Sequence, residues 1–225
     1  MGKSDINYIK SLKSSIEKLS KWESSGAAFG FIKSVDDSKD DYIYEFFCVM
    51  TLLDDLNDHH KIVLIPGLNG FVFPKKPGGK ANFARFSIKN KTTDLEEFQL
   101  CLGVEIKITS SPKTKYAADL SFQKAGTGDD PFDTDILLVM DAKYKVDKDD
   151  KLAIGTIREF AQCVRDMGNP SGHPDLVFLK LGLLKANCLF TNGLTNDDHD
   201  VYCRVNNLKQ IGCFDNDGRT MVVIG

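Results

Sequence analysis

Long hydrophobic runs are missing from this sequence. The longest of them, such as residues 136–140, span only a few residues, whereas a membrane-spanning helix needs about 20 apolar residues. The first residues alternate lysines with isolated apolar side chains, so the pattern lacks the apolar centre of a signal peptide. We therefore expect a cytoplasmic protein that has no contact with a membrane.

Closely spaced cysteines are missing as well. No two of the six cysteines lie closer than ten residues, so the sequence contains no CxxC half-site for zinc. The four histidines have no ligand spacing and no neighbouring serine or cysteine nucleophile. The sequence therefore predicts buried thiols in a reducing compartment, without a zinc-ribbon site and without a hydrolase triad.

Acidic residues are missing from residues 59–93, although the whole chain of 225 residues has a net charge of −3. This stretch, which we call the basic region, has a local charge of +7 and leaves −10 for the remaining residues. Its positive side chains are those of Lys61, Lys75, Lys76, Lys80, Arg85, Lys89 and Lys91. Such a region can contact an anionic partner or can form a solvated loop that balances acidic neighbours.

Apolar periodicity predicts an α/β protein. Ile9, Leu12 and Ile16 share one face of an N-terminal helix, residues 24–41 predict a loop, and residues 41–58 predict a second helix. A third helix is predicted at about 152–167, and strands at 62–65, 71–73, 83–88, 98–108, 116–123, 134–145, 176–183, 187–190, 201–205 and 221–224. This order is typical of one sheet flanked by helices.

The most apolar predicted strand ends in charged residues. Residues 136–140 run directly into Asp141, Ala142 and Lys143, and the strand period of two places Asp141 and Lys143 on the same side. The acid-x-lysine spacing occurs four times, starting at Asp37, Glu105, Asp141 and Asp149. Only at Asp141 does it follow a buried strand and precede a helix, although a strand that simply emerges into solvent has the same pattern.

A second carboxylate is predicted beside Asp141. A hairpin that joins the strand at 116–123 to the next strand brings Asp119 close to Asp141. Two adjacent carboxylates repel each other unless a cation neutralises them, and Mg²⁺ prefers a few carboxylate oxygens plus water and phosphate. Asp135 is the alternative partner, but it lies six residues or about 20 Å along the same strand from Asp141. These residues suit metal-assisted cleavage of a phosphodiester.

Asp119, then Asp141-Ala142-Lys143 on the next strand, then a helix carrying Gln162, resembles the PD-(D/E)xK nuclease superfamily. Glu45 on an earlier helix matches the first acidic position of that superfamily. The stretches 44–48 and 141–145 are most similar to the nuclease subunits of McrBC-type restriction systems. The resemblance implies a restriction-endonuclease-like core with a mixed central β-sheet flanked by helices. We accordingly divide the chain into an N-terminal helix and loop (1–40) and a nuclease-like domain (41–225) with a basic β insertion at about 59–93.

The resemblance also implies roles for individual residues. Asp119, Asp141 and the backbone carbonyl of Ala142 would hold Mg²⁺ or Mn²⁺, and Lys143 would orient or deprotonate the attacking water. Glu45 is a further candidate ligand, although burial habits alone favour a paired or partly exposed side chain. Gln162 would contact DNA or the active site.

DNA is the partner that the resemblance implies, and the expected activity is Mg²⁺-dependent DNA hydrolysis in a restriction or antiviral-defence system. The candidate phosphate contacts are Lys75, Lys76, Lys80 and Arg85 of the basic region, and Arg158 and Arg165 of the third helix. A homodimer and a motor or specificity subunit are further candidate partners. Two alternatives remain at this stage, a nucleic-acid-binding scaffold that does not cut and a phosphohydrolase acting on nucleotides or RNA.

Overall fold

The computed structural model describes residues 6–182 and 184–225, which form one large β-sheet with helices on both faces and a second, small sheet of two strands. The helices are α1 (Ile6–Leu19), α2 (Ala27–Lys33), α3 (Asp40–Asn57), α4 (Ile154–Asp166) and α5 (Asp200–Val205). The strands are β1 (His60–Ile65), β2 (Arg85–Asn90), β3 (Glu96–Leu102), β4 (Ile106–Ile108), β5 (Ser111–Tyr116), β6 (Leu120–Lys124), β7 (Ile136–Lys143), β8 (Asn187–Thr191), β9 (Leu208–Gly212) and β10 (Val222–Ile224). None of the helices in these two ranges is long and apolar enough to cross a membrane.

The sheet has eight strands in the order β1-β2-β3-β6-β7-β8-β9-β10. Neighbouring strands from β1 to β7 are antiparallel, the β7–β8 and β8–β9 pairs are parallel, and β10 returns antiparallel to β9. The first parallel connection runs through α4. The expected α/β fold with a mixed central sheet flanked by helices is therefore confirmed.

Alternate residues of β7 pack into two separate hydrophobic cores. Leu138 and Met140 belong to the larger core, which α1 and α3 cover, whereas Val139 belongs to the smaller core, which α4 covers. A strand that is buried on both faces needs this continuous apolar run. This fully buried run ends at Met140, and the charged part of β7 begins at the half-buried Asp141.

The basic region lies along one edge of the same sheet. Its two strands, β1 and β2, pair with each other, and β2 pairs with β3. Residues 66–84 between these strands form an irregular segment, which we call the arm. The predicted N-terminal helix corresponds to α1, whose buried face packs on α3 in the larger core.

Several local predictions are wrong. Residues 27–33 of the predicted loop form α2, and residues 71–73 belong to the arm and form no strand. Residues 201–205 lie in the short helix α5, where Cys203 is buried against the sheet while Val201 and Val205 are exposed. Residues 176–182 contain no strand, and position 183 lies outside the described residues. The strand β9 was not predicted.

Candidate active site

Asp119 and Asp141 lie side by side, as the hairpin model predicts. Asp119 immediately precedes β6, Asp141 lies in β7, and the two strands are antiparallel with Leu120 opposite Met140. The Asp119 backbone N–H donates to Asp141 Oδ1 at 3.0 Å, and the Ala142 N–H donates to Asp119 Oδ2 at 2.8 Å. Each carboxylate is therefore fixed by the backbone of the other residue's strand.

Lys143 faces the same point as the two carboxylates. Its Nζ lies 3.1 Å from Asp141 Oδ2 and 3.6 Å from Asp119 Oδ2. Ala142, which lies between the two charged residues of β7, is buried in the larger core. The period of two along β7 therefore places the charged side chains of Asp141 and Lys143 in the site and the side chain of Ala142 in the core, as the sequence predicts.

Burial and excess negative charge together shift the pKa values of the ionisable groups in the site. Burial raises the pKa of Glu45 to about 9, and the charges of Asp119 and Asp141 add to this shift. Burial and the neighbouring Asp141 raise the pKa of Asp119 to about 6. Burial opposes the charged form of Lys143, but Asp119 and Asp141 hold its pKa above the usual range. Three acids therefore share one ammonium group.

The donor set suits a hard cation. Mg²⁺ takes one or two carboxylates and completes its shell with water and substrate phosphate, and the shortage of positive charge around Asp119, Asp141 and Glu45 would be relieved by such an ion. Across the described ranges, no group of three or more His, Cys, Asp or Glu side chains that could hold a metal ion is present, so water and substrate phosphate would have to complete the ligand shell beside Asp119 and Asp141. Asp119 and Asp141 are the residues that would hold the ion.

Two pockets beside α3 share Asp41 and Glu45 as lining residues, and we call the two pockets together the groove. One half is lined by Asp119, Lys75 and Lys76, and the other by Lys143 and Thr156. Asp41 and Glu45, one helical turn apart on α3, line both halves. Sequence reasoning missed Asp41 and Thr156, and the spacing of Asp41 four residues before Glu45 was a usable signal for the first of them.

The basic region contributes two exposed lysines to this groove. Lys75 and Lys76 are exposed at its rim, and Lys75 Nζ also lies 5.8 Å above the centre of the Phe31 ring. Arg85 is half-buried at the start of β2. Lys75 and Lys76 therefore line the same pocket as Asp119 and Glu45.

Lys80 cannot contact phosphate in this arrangement, which corrects the prediction for this residue. Its side chain is buried, with 1% of the residue exposed, and Nζ donates to Gln123 Oε1 at 2.8 Å and to the Thr127 carbonyl at 2.7 Å. Burial lowers the pKa of Lys80. The ammonium group joins the arm to β6 and the loop after it.

The structure does not bring Gln162 to the acidic pair. Gln162 is exposed, donates to Asp166 at 2.7 Å, and accepts a hydrogen bond from Arg165 at 2.8 Å. By helical spacing, Arg158 and Arg165 lie on the side of α4 opposite Thr156, so they face away from the groove.

Cys163 shares the Thr156 side of α4, seven residues away. Burial raises the pKa of its thiol to about 12, and the Asp141 charge adds to this shift. The side of α4 that approaches Asp141 is therefore the one that carries Thr156 and Cys163.

The acid-x-lysine sequence that begins at Glu105 has different surroundings. Glu105 pairs with Lys115 at 2.6 Å, while Lys107 pairs with Asp130 at 3.0 Å, so the acid and the lysine of this motif do not meet. Asp135 accepts a hydrogen bond from the Phe132 N–H at 2.9 Å at the start of β7, away from Asp141. Asp141 and Lys143 therefore differ from Glu105 and Lys107 in geometry although the spacing is the same.

Glu45 gives the metal-free protein an unusual pH dependence of stability. Because the pKa of Glu45 is about 9 in the folded state against an ordinary value of 4.5, the folded protein binds more protons than the unfolded chain in this window. Through Glu45, the free energy of unfolding should therefore fall as the pH rises. Between pH 5 and 9 in EDTA, this free energy should fall by about 2 kcal/mol less in Glu45→Gln than in the wild type, measured by urea unfolding. Equal falls would contradict this assignment.

Comparisons with protein-family models, with curated proteins and with solved structures find no match for this chain. The case for a function therefore rests on the sequence pattern and on the arrangement of Asp119, Asp141, Lys143 and Glu45 at the end of the sheet.

Proposed function

We propose that this protein is a Mg²⁺-dependent DNA endonuclease of the restriction or defence type, built on a restriction-endonuclease-like core. One observation carries the proposal. Asp119 and Asp141, on neighbouring antiparallel segments, both face the ammonium group of Lys143. This is the grouping that the resemblance to PD-(D/E)xK nucleases implies.

In the proposed reaction, the residues of this chain bind and orient the reactants. Asp119 and Asp141 would hold the cation, which when bound would lower the pKa of a water and neutralise charge on the scissile phosphate. Lys143, held protonated beside the two carboxylates, would orient the water that attacks the phosphorus, and its charge would oppose the negative charge that develops there. The phosphorus–oxygen bond to the leaving sugar breaks as the bond to the water oxygen forms, and the water gives its proton to the solvent. Glu45 supplies a third acidic group from α3.

The groove provides the electrostatic setting for a polyanion. Lys75 and Lys76 line one half together with Asp119, and Lys143 and Lys145 line the other. A phosphate backbone that lies along both halves would meet lysine side chains in each of them, which supports DNA as the substrate.

Incubation with supercoiled plasmid tests the proposal. We expect nicked and linear products in Mg²⁺ or Mn²⁺ and no products in EDTA. Ca²⁺, which accepts looser geometry, should support DNA binding without efficient cutting. Metal-independent binding without any cutting would instead favour the scaffold alternative.

The salt dependence of DNA binding should show whether Lys75 and Lys76 contact phosphate. Each phosphate contact contributes about 0.9 to the slope of log K against log salt. Changing Lys75 and Lys76 to alanine together should therefore lower the magnitude of this slope by about 2, measured by fluorescence anisotropy in Ca²⁺. The matched control is the double change Lys124→Ala and Lys185→Ala, because both lysines are exposed beyond the other end of the sheet. An equal reduction in both double variants would contradict the placement of DNA in the groove.

A further inference from the structure

The arm ends in a small closed turn with an exposed leucine at its tip. Gly67 and Gly70 exchange two backbone hydrogen bonds of 3.0 Å each, which leaves only Leu68 and Asn69 in the loop. Leu68 is 80% exposed. Phe71 and Val72, which follow the turn, are 41% and 38% exposed, so the apolar surface continues along the arm.

Backbone contacts hold the turn in place. The Leu68 N–H donates to the Ala81 carbonyl at 2.8 Å, and a Cβ atom at Gly67 would lie 2.5 Å from the backbone of Phe83. Only glycine permits this close approach of the two limbs of the arm. Leu68 is therefore presented on a preorganised support.

The base of the arm is anchored next to the acidic pair. Phe73 is buried in the larger core, with its ring 5.1 Å from that of Phe46. Pro74 packs against Gly103, and the Gly103 N–H donates to the Asp119 carbonyl at 3.0 Å. Gly103 therefore links the base of the arm to Asp119.

The positive charge of the basic region and the apolar tip of the arm together favour a partner that is a polyanion with an apolar interior. The basic region contains no carboxylate, and Lys75 and Lys76 extend from the same arm into the groove. A second copy of this chain carries a net charge of −3 without the phosphate spacing that these lysines suit. Duplex DNA combines phosphates for the lysines with stacked bases for the leucine, and apolar wedges that part base steps include leucine.

We infer that Leu68 is a wedge that enters duplex DNA and unstacks one base step while the phosphate backbone lies along the groove. The inference rests on the proposed function and deepens it, because it makes a deformable duplex the preferred substrate. The lysines then supply affinity that is independent of sequence, and the leucine makes the choice of site depend on how easily a base step opens.

A duplex that carries 2-aminopurine tests the wedge, because the fluorescence of this base rises when it is unstacked. Titrations in Ca²⁺ compare the wild type with Leu68→Ser and with the control Leu95→Ser, whose leucine is 68% exposed in the turn between β2 and β3. The wild type and Leu95→Ser should raise the fluorescence at least twofold. Leu68→Ser should bind about tenfold more weakly and leave the fluorescence near that of free duplex, with an unchanged salt slope.

The outcomes separate the inference from the proposed function. If the wild type cuts plasmid in Mg²⁺ but Leu68→Ser matches it in affinity and fluorescence, the wedge is wrong and the nuclease assignment remains. If the wild type unstacks the duplex but does not cut, the wedge remains and the nuclease assignment is wrong. A Leu68→Ser protein that loses a dimer in sedimentation while it binds DNA as the wild type does would place a second copy at the tip and overturn the wedge.

Discussion

Replacement of Asp141 by asparagine should lower the rate of the proposed Mg²⁺-dependent DNA cleavage by at least about 1,000-fold, because the site would lose one of the two carboxylates that we propose as ligands of the cation. The fold should survive, since an asparagine oxygen can still accept the hydrogen bond that Asp119 N–H donates to Asp141 Oδ1. Calorimetric titration with Ca²⁺ should show weaker ion binding by the variant, and circular dichroism should match the wild type.

Glu105→Gln is the matched control for this variant. Glu105 begins the same acid-x-lysine spacing, but its carboxylate pairs with Lys115 rather than with the lysine of its own motif. Cleavage by Glu105→Gln should stay within about twofold of the wild type, as is usual for exposed ion pairs of little energetic weight. Loss of activity in Glu105→Gln with full activity in Asp141→Asn would place the active site at Glu105, next to β4, and not at Asp141.

Lys143→Met should have the second largest effect, with a fall in cleavage rate of about 100-fold to 1,000-fold. The change leaves both carboxylates in place but removes the ammonium group that faces them at 3.1 and 3.6 Å. Ion binding should be retained and should become tighter, because the ion no longer competes with a fixed positive charge. Ca²⁺ should therefore raise the melting temperature of Lys143→Met more than that of the wild type.

Lys107→Met controls for the loss of a lysine from the same spacing elsewhere in the chain. Lys107 pairs with Asp130 on the surface of the small β4–β5 sheet, so this variant should cut DNA at the wild-type rate. A Lys143→Met protein that cuts normally would contradict the role of Lys143 in positioning water. One that no longer responds to Ca²⁺ would contradict the competition between its ammonium group and the ion.

The core of the site could be predicted because it depends on local rules. The period of two along β7 places Asp141 and Lys143 on one side, and one hairpin brings Asp119 beside them. The contribution of α4 could not be predicted in the same way. Its apolar stripe identifies the buried side, but both flanks of that stripe are polar, and only the packing against the sheet selects Thr156 over Gln162.

The burial of Lys80 also could not be predicted from the sequence. A lysine in a run of glycines and prolines is expected to be exposed, and its partners Gln123 and Thr127 lie more than forty residues further along the chain. Residues 201–205 show a related effect. Their valines favour a strand, but the contact of Cys203 with the smaller core stabilises a short helix. Long-range packing decides both cases.

One time course tests the central claim most directly. Wild type, Asp141→Asn and Glu105→Gln are incubated side by side with supercoiled plasmid in Mg²⁺ and in EDTA. We predict nicked and linear DNA from the wild type and Glu105→Gln in Mg²⁺ alone, and intact plasmid from Asp141→Asn under both conditions. Equal cleavage by the wild type and Asp141→Asn in Mg²⁺ would contradict a metal-dependent nuclease site at Asp119 and Asp141.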